Sequence, residues 1–178
     1  MKYLALLRGI NVGGNRQVEM LKLKDCLEGI GLCDVKTYIN SGNVVFSTDK
    51  TEGELSRLIE QAIERKFGFF VPTIVRTQNQ IEYVVHKVPI EWTNDDQQKT
   101  DVLFLWPEVD QPSIIDLIEF KPEIEKVVYI PGAIVWNIAR KDVSHGSSAK
   151  LINSNLYKQM TIRNINTVRK LYLLMDTK

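Results

Sequence analysis

The chain has 178 residues, of which 44% are hydrophobic and 25% are charged, and its formal net charge is +1. That length suffices for one sizeable core or two smaller ones, and the near-neutral charge excludes a global attraction to nucleic acid or to an anionic membrane. Two cysteines without a CxxC pair, together with only two histidines, argue against a disulfide framework and against a transition-metal site. No apolar run has the length of a bilayer span, and Met1 leads directly into a strand, so we expect a cytoplasmic protein with no membrane association.

Residues 1–76 have the periodicity of a β-α-β-β-α-β unit. Strands are predicted over residues 3–8, 35–39, 43–47 and 71–76, and helices over residues 20–30 and 51–67. The first and third strands are the apolar ones, whereas Lys36 and Pro72 fall on the other two. With right-handed crossovers, this order predicts an antiparallel ferredoxin-like sheet in which the first and third strands are central.

Residues 77–99 are predicted to connect two subdomains. Thr77 and Gln80 form a capping pair at the start of a helical pattern, and Pro89 stops the helix. The segment that follows, residues 91–99, is polar and acidic. We therefore expect a connecting helix followed by a mobile linker or lid.

Residues 100–178 repeat part of the first pattern. Strands are predicted over residues 101–106, 127–130 and 133–138, a short helix includes Ile114, and Thr161 is expected to cap a final helix. Because no fourth strand is evident, we interpret this half as a degenerate structural duplication. The predicted fold class is α+β, with two ferredoxin-like subdomains that each carry helices on one face of an antiparallel sheet.

Three tracts of the sequence carry a family resemblance. They are residues 6–14 (LLRGINVGG), 37–46 (TYINSGNVVF) and 161–171 (TIRNINTVRKL). They resemble the signatures of a bacterial family catalogued as domain of unknown function 1697, and the resemblance runs over essentially the whole chain. It implies two ferredoxin-like α+β subdomains and no settled activity. In the third tract the family often has an aromatic residue where this chain has Ile165.

Polar residues of these tracts form the candidate site. They are Arg8, Asn11 and Asn15 after the first strand, Asn40, Ser41 and Asn43 in the hairpin, and Arg163 and Asn164 at the start of the final helix. Arginine suits carboxylate or phosphate, and asparagine offers both donors and acceptors. We expect Arg8 and Arg163 to act as anion clamps in one cleft. The alternative is that these are ordinary turn and cap residues, with a buried arginine holding loop carbonyls.

The main prediction is a protein that binds a small phosphate- or carboxylate-bearing molecule near the first strand–helix loop. That loop matches neither GxGxxG nor GxxxxGK, so the sequence has no nucleotide fingerprint there and indicates no particular cofactor. A nucleic-acid-associated protein is the first alternative. Its candidate contacts are Tyr38 and Phe46 as stacking faces and Lys36, Arg140, Lys141 and Lys150 along phosphates. Phe46 lies on a central strand, however, and fits a core position better.

An enzyme is the next alternative, built on residues 145–150. His145 could serve as a base, Ser147 or Ser148 as a nucleophile and Lys150 as an anion clamp. The competing interpretation is that one of the two serines caps the following helix, because residues two or three apart in a loop seldom reach base-to-nucleophile geometry. Self-association through exposed sheet edges is a further possibility.

Overall fold

The computed structural model describes residues 1–14 and 16–176. Contacts divide the chain into two compact units, Met1–Ile81 with Leu171–Lys178, and Glu82–Lys170. The division falls within a helix at residue 81 and within the last helix at residue 170. The sequence predicts subdomains over residues 1–76 and 100–178, with residues 77–99 connecting them.

The first unit contains one four-stranded antiparallel sheet and two helices. Its elements are β1 (Lys2–Leu7), α1 (Met20–Glu28), β2 (Cys33–Tyr38), β3 (Asn43–Ser47), α2 (Glu52–Phe67) and β4 (Thr73–Thr77). The strand order is β2-β3-β1-β4. The apolar strands β1 and β3 are therefore central, as the sequence predicts. The edge strands are β2, which carries Lys36, and β4, which begins just after Pro72.

Local chemistry accounts for the ends of α2 and β4. The backbone N–H of Thr51 donates to the Glu54 carboxylate at 3.2 Å, and its hydroxyl donates to the same carboxylate at 2.7 Å. These bonds lower the pKa of Glu54. The helix ends at Gly68, whose φ of 81° is left-handed. Strand β4 begins just after Pro72, which has no N–H to donate, while the Pro72 carbonyl accepts from the Arg8 N–H at 2.9 Å.

The core of the first unit lies between one face of the sheet and the helices α1 and α2. Alternate residues of β1 point to that face, and Tyr3 stacks on Phe46 with ring centroids 5.8 Å apart. Leu23 of α1 and Ile59 of α2 are fully buried in the same cluster. Burying these apolar groups on one face stabilises the layered arrangement of sheet and helices.

The second unit repeats this order. Its elements, including the helices shared at its boundaries, are α3 (Gln78–Lys87), β5 (Gln98–Leu105), α4 (Ile114–Leu117), β6 (Glu125–Ile130), β7 (Ala133–Ala139), α5 (Ser148–Ile152), β8 (Met160–Asn164) and α6 (Ile165–Asp176). Short 3₁₀ helices cover Pro107–Val109, Arg140–His145 and Asn155–Gln159. The sheet is again antiparallel, with the order β6-β7-β5-β8.

Strand β8 corrects the sequence prediction for the start of the last helix. Thr161, predicted as an N-cap, is buried in β8 and pairs with Phe104 of β5. The cap is Asn164, whose side-chain oxygen accepts from the Thr167 N–H at 2.9 Å. Tertiary pairing with β5 therefore determines the conformation of a tract whose local sequence resembles a helix start.

Side chains of the second unit hold the segment that precedes β5. Arg140 donates through Nε to the Asp95 carbonyl at 2.7 Å. Arg169 donates to the Trp92 carbonyl at 3.1 Å and to the Pro89 carbonyl at 3.0 Å. These bonds fix a segment that the sequence predicts as a mobile linker or lid.

Candidate functional site

The loop after β1 and the β2–β3 hairpin meet at one end of the first sheet. The Asn11 amide nitrogen donates to the Asn40 carbonyl at 2.8 Å and to the Val18 carbonyl at 3.0 Å. Its amide oxygen accepts from the Val18 N–H at 2.8 Å. One asparagine thus closes its own loop and ties that loop to the hairpin, so two of the three predicted segments do come together.

The backbone at this junction adopts conformations that side chains seldom tolerate. Asn11, Arg16 and Ile39 have φ values of 55°, 51° and 50°. Positive φ is common for asparagine but exceptional for a β-branched residue such as Ile39. Such outliers persist only where surrounding contacts impose them, and they concentrate at functional sites.

Gly42 fixes the hairpin turn against the end of β1. Its carbonyl accepts from the Leu7 N–H at 2.8 Å. A Cβ at this position, where φ is 76°, would lie 2.6 Å from the Leu7 Cβ and 2.9 Å from the Ile10 Cδ1. Glycine is therefore required both by the turn and by the close approach of the strand.

A cleft of about 630 Å³ opens at this junction. Its described lining consists of Asn11, Gly14, Gln17, Val18, Glu19, Met20, Lys22, Asn40 and Phe67. Amide groups supply hydrogen-bonding capacity, while Val18, Met20 and Phe67 supply apolar surface. Glu19 and Lys22 form an ion pair at 2.7 Å. A volume of this size lies within the range found for ligand pockets in proteins.

The other residues predicted in the first unit have structural partners. Asn43 is fully buried, and its amide nitrogen donates to the Tyr38 carbonyl at 3.1 Å and to the Ser41 hydroxyl at 2.9 Å. These bonds shape the hairpin that carries Asn40. Arg8 is half-buried directly after β1. Asn15 lies outside the described residues.

Arg163 and Asn164 belong to the second unit. Arg163 is buried on strand β8 rather than at a helix start, and it donates to the Thr161 hydroxyl at 3.0 Å and to the Ile162 carbonyl at 2.8 Å. Burial lowers its pKa to about 10, so the guanidinium remains charged at neutral pH. Asn164 serves as the cap of α6. The shared cleft of Arg8 and Arg163 stays a prediction.

Residues 145–150 do not form the predicted arrangement of a histidine base beside a serine nucleophile. Ser147 is buried, and both its N–H, at 2.7 Å, and its hydroxyl, at 2.9 Å, donate to Oε1 of Glu125. His145 instead lies 3.3 Å through Nδ1 from the Ser144 hydroxyl, and Lys150 pairs with Glu119. Ser147 occupies the N-cap position of α5, but its hydroxyl donates to Glu125 and makes no cap hydrogen bond with the helix.

Sequence reasoning missed Glu125, the residue that organises this tract. The carboxylate is buried, and besides Ser147 it accepts from the Lys121 N–H at 2.6 Å. A glutamate at the first position of a strand carries no local signal that distinguishes it from an exposed residue. Among residues 1–14 and 16–176, no three His, Cys, Asp or Glu side chains are arranged to hold a metal ion.

The residues considered for nucleic-acid contact divide into buried and exposed groups. Phe46 is fully buried and packs in the core, as its position on a central strand predicts. Arg140 bonds to the Asp95 carbonyl and to the Asn94 side chain. Lys36 is exposed and Tyr38 is half-buried. Stacking on Phe46 is therefore unavailable to a base.

Comparison with known proteins identifies the family. Residues 1–136 match the profile of a family described as a protein of unknown function, DUF1697, and the chain belongs to that family. A solved structure, that of the conserved bacterial protein SP0830 from Streptococcus pneumoniae, is similar with a TM-score of 0.86 and 27% identity, over 98% of each chain. Comparison with curated proteins gives no match. The family and the α+β fold class expected from the sequence are confirmed.

In the described part of the chain, no helix combines the length and apolar character needed to cross a bilayer.

Proposed function

We propose that the protein binds a small anionic molecule, bearing phosphate or carboxylate, in the cleft beside β1. The observation that carries this proposal is the junction made by Asn11, which ties a strained loop to the hairpin around a cleft of about 630 Å³. Residues held in unfavourable backbone conformations beside a cleft are typical of ligand-binding sites.

The charge of the loop supports an anion as the ligand. Residues 8–22 contain the basic side chains Arg8, Arg16 and Lys22 and a single acidic side chain, Glu19. Gly13 and Gly14 have positive φ, and a Cβ added at either would meet no atom within 4 Å, so a ligand can approach the backbone closely there. Local positive charge and accessible backbone together favour a phosphate or carboxylate.

The proposal is tested by measuring binding of inorganic phosphate, citrate and ribose 5-phosphate by calorimetry and thermal shift. We expect at least one of them to bind and to raise Tm. Removing the guanidinium in Arg8→Ala or Arg16→Ala should weaken that binding by about tenfold or more, the size of a charge-assisted hydrogen bond. Arg57→Ala, on the exposed side of α2, is the matched control and should bind as the parent does.

Two results would contradict the proposal. One is the absence of any heat or Tm shift with all three compounds. The other is binding that survives both loop substitutions unchanged while far-ultraviolet circular dichroism shows that the variants are folded. Because the variants and the control all lose one arginine, a general effect of net charge would appear equally in all three.

We also propose a more specific fold name and a cellular location for the protein. The strand orders β2-β3-β1-β4 and β6-β7-β5-β8 support the name ferredoxin-like for both units. We propose a bacterial cytoplasmic protein, in line with the unpaired thiols of Cys26 and Cys33.

A further inference from the structure

The two charged side chains that line the cleft beside β1 are paired with each other. Glu19 and Lys22 are three residues apart at the start of α1, and their carboxylate and ammonium groups are 2.7 Å apart. Paired charges largely cancel at a distance, so this part of the wall carries little net charge. The neutral side chains of the wall therefore determine which part of a ligand fits beside them.

The Asn11 carboxamide is already occupied by bonds within the protein. Its nitrogen donates to the Val18 and Asn40 carbonyls, at 3.0 Å and 2.8 Å, and its oxygen accepts from the Val18 N–H at 2.8 Å. Both hydrogens of the amide are thus used. Asn11 shapes the cleft, and other groups must contact the ligand.

Two further carboxamides of the wall are available to a ligand. Gln17 and Asn40 are exposed and line the cleft. Among residues 1–14 and 16–176, neither side chain has a hydrogen-bond partner. The bond from Asn11 to the Asn40 carbonyl holds the second carboxamide at the cleft. A carboxamide presents a donor beside an acceptor, and the edge of a nucleobase or a related heterocycle complements that pattern.

Met20 and Phe67 give the same wall an apolar surface. Both side chains are half-buried, because each packs in part against the core of the first unit and in part lines the cleft. The Phe67 ring also contacts Phe69, with ring centroids 6.4 Å apart and ring planes at 45°. Aromatic and thioether groups are favourable partners for a planar ring. The wall therefore combines an apolar surface with hydrogen-bonding groups.

Provided that the cleft is the anion site proposed above, we propose that its ligand also carries a planar heteroaromatic ring, as a nucleoside monophosphate does. The ring packs against Phe67 and Met20, and its edge exchanges hydrogen bonds with Gln17 and Asn40. The anionic group lies at the loop over residues 8–16. Recognition through the ring does not need the GxGxxG or GxxxxGK motif, whose role is to bind phosphate groups.

Calorimetry on the full chain compares AMP, UMP, adenosine and ribose 5-phosphate, which differ in the base or in the phosphate. We expect AMP or UMP to bind at least about tenfold more tightly than ribose 5-phosphate, a factor within the range for one stacked base. Adenosine lacks the phosphate and should bind at least about tenfold more weakly than AMP.

Two substitutions test the ring-binding wall separately from the anion site. Phe67→Leu removes the aromatic face, and Gln17→Ala removes an exposed carboxamide without disturbing the core. Each should weaken nucleotide binding about fivefold or more and leave the affinity for ribose 5-phosphate and inorganic phosphate unchanged. The matched controls are Phe70→Leu, at an exposed ring that does not line the cleft, and Gln61→Ala, on the exposed side of α2. Both controls should bind all compounds as the parent chain does.

The outcomes separate the heteroaromatic ligand from the anion site. If AMP and UMP bind no more tightly than ribose 5-phosphate, or if Phe67→Leu and Gln17→Ala behave like their controls, the heteroaromatic ligand is overturned and the anion site stands. If adenosine binds as tightly as AMP, and Arg8→Ala and Arg16→Ala have no effect, the anion site is overturned. If none of the compounds binds, both are overturned.

Discussion

The two units share a strand order and differ in how the loop after the central strand is fastened. In the first unit Asn11, four residues after β1, donates through its amide nitrogen to the Asn40 carbonyl of the hairpin. In the second unit Asp110, five residues after β5, accepts at Oδ1 from the Tyr129 hydroxyl at 2.9 Å and the Gly132 N–H at 2.8 Å. In both units a loop side chain contacts the hairpin, but it donates the hydrogen bond in the first unit and accepts it in the second.

Other features recur at equivalent places. The last residue of each first strand donates to the carbonyl of a hairpin glycine, Leu7 to Gly42 at 2.8 Å and Leu105 to Gly132 at 3.0 Å. The fourth strand of each sheet also carries a buried arginine that donates to the carbonyl of the preceding residue; these are Arg76 and Arg163. These recurring contacts use the same residue types in both units, whereas the contact between loop and hairpin uses Asn11 in one unit and Asp110 in the other.

Both units therefore connect the loop after the first strand to the hairpin, but they use different chemical groups to do so. An asparagine can both donate and accept, so Asn11 also closes its own loop through Val18. The Asp110 side chain accepts at Oδ1, so its partners are donors such as the Tyr129 hydroxyl. In the first unit this contact lies beside a glycine-rich loop and a cleft, and the proposed ligand site is therefore in that unit.

The largest effect is expected from the hairpin glycine of the first unit. Gly42→Ala should lower the free energy of unfolding by about 3 kcal/mol, because positive φ and overlap with Leu7 and Ile10 act together. Gly68→Ala, where φ is 81° but no atom lies near the added Cβ, should cost only about 1 kcal/mol. Urea denaturation measures both. Equal losses would show that close packing does not hold this hairpin against β1.

A smaller loss of folding stability should distinguish the donating side chain of Asn11 from the accepting side chain of Asp110. Asn11→Asp replaces a donor by an oxygen that faces the Val18 and Asn40 carbonyls, and it should cost about 2 kcal/mol. Asp110→Asn keeps an accepting oxygen and should cost about 1 kcal/mol or less. Chemical denaturation of the two isosteric variants provides the measurement. A larger loss of stability in Asp110→Asn than in Asn11→Asp would contradict the roles given to the two side chains.

The smallest effect concerns the Tyr129 phenol. Burial, and then the hydrogen bond to Asp110, raise its pKa from 10.0 to about 12. Asp110→Ala should lower that pKa only in part, since burial is the larger cause. Because the neutral phenol is favoured in the folded state, its contribution to stability is present below pH 10 and is lost as the pH rises towards about 12.

Ultraviolet absorbance of the tyrosinate over this pH range measures the Tyr129 titration. The chain has six tyrosines, so Tyr129→Phe is needed to assign the late step. A late step that remains in Tyr129→Phe, or one that does not move in Asp110→Ala, would contradict the role given to Asp110.

Much of the first unit was predictable because its signals are local. The capping pair of Thr51 and Glu54, the hairpin around Gly42 and the edge position of the strand after Pro72 all depend on residues close in sequence. Strand β8 was not predicted, because Thr161 begins a tract that resembles a helix start and only pairing with β5 makes it extended.

In the candidate site, too, the residues could be predicted from the sequence, but their long-range contacts could not. Asn11 and Asn40 were both predicted as site residues from their residue type and their place in turns. Their contact joins residues 29 positions apart, and the Glu125–Ser147 contact joins residues 22 positions apart. No periodicity encodes such pairings.

The sequence by itself determined the order of strands and helices in the first unit, the capping pair of α2 and the hairpin turns, because hydrophobic period and backbone preference act over a few residues. Only the tertiary structure decided which loop meets which hairpin, which serine is bound by a buried carboxylate and where cavities open. Those outcomes depend on how distant segments pack, and packing is a property of the whole fold.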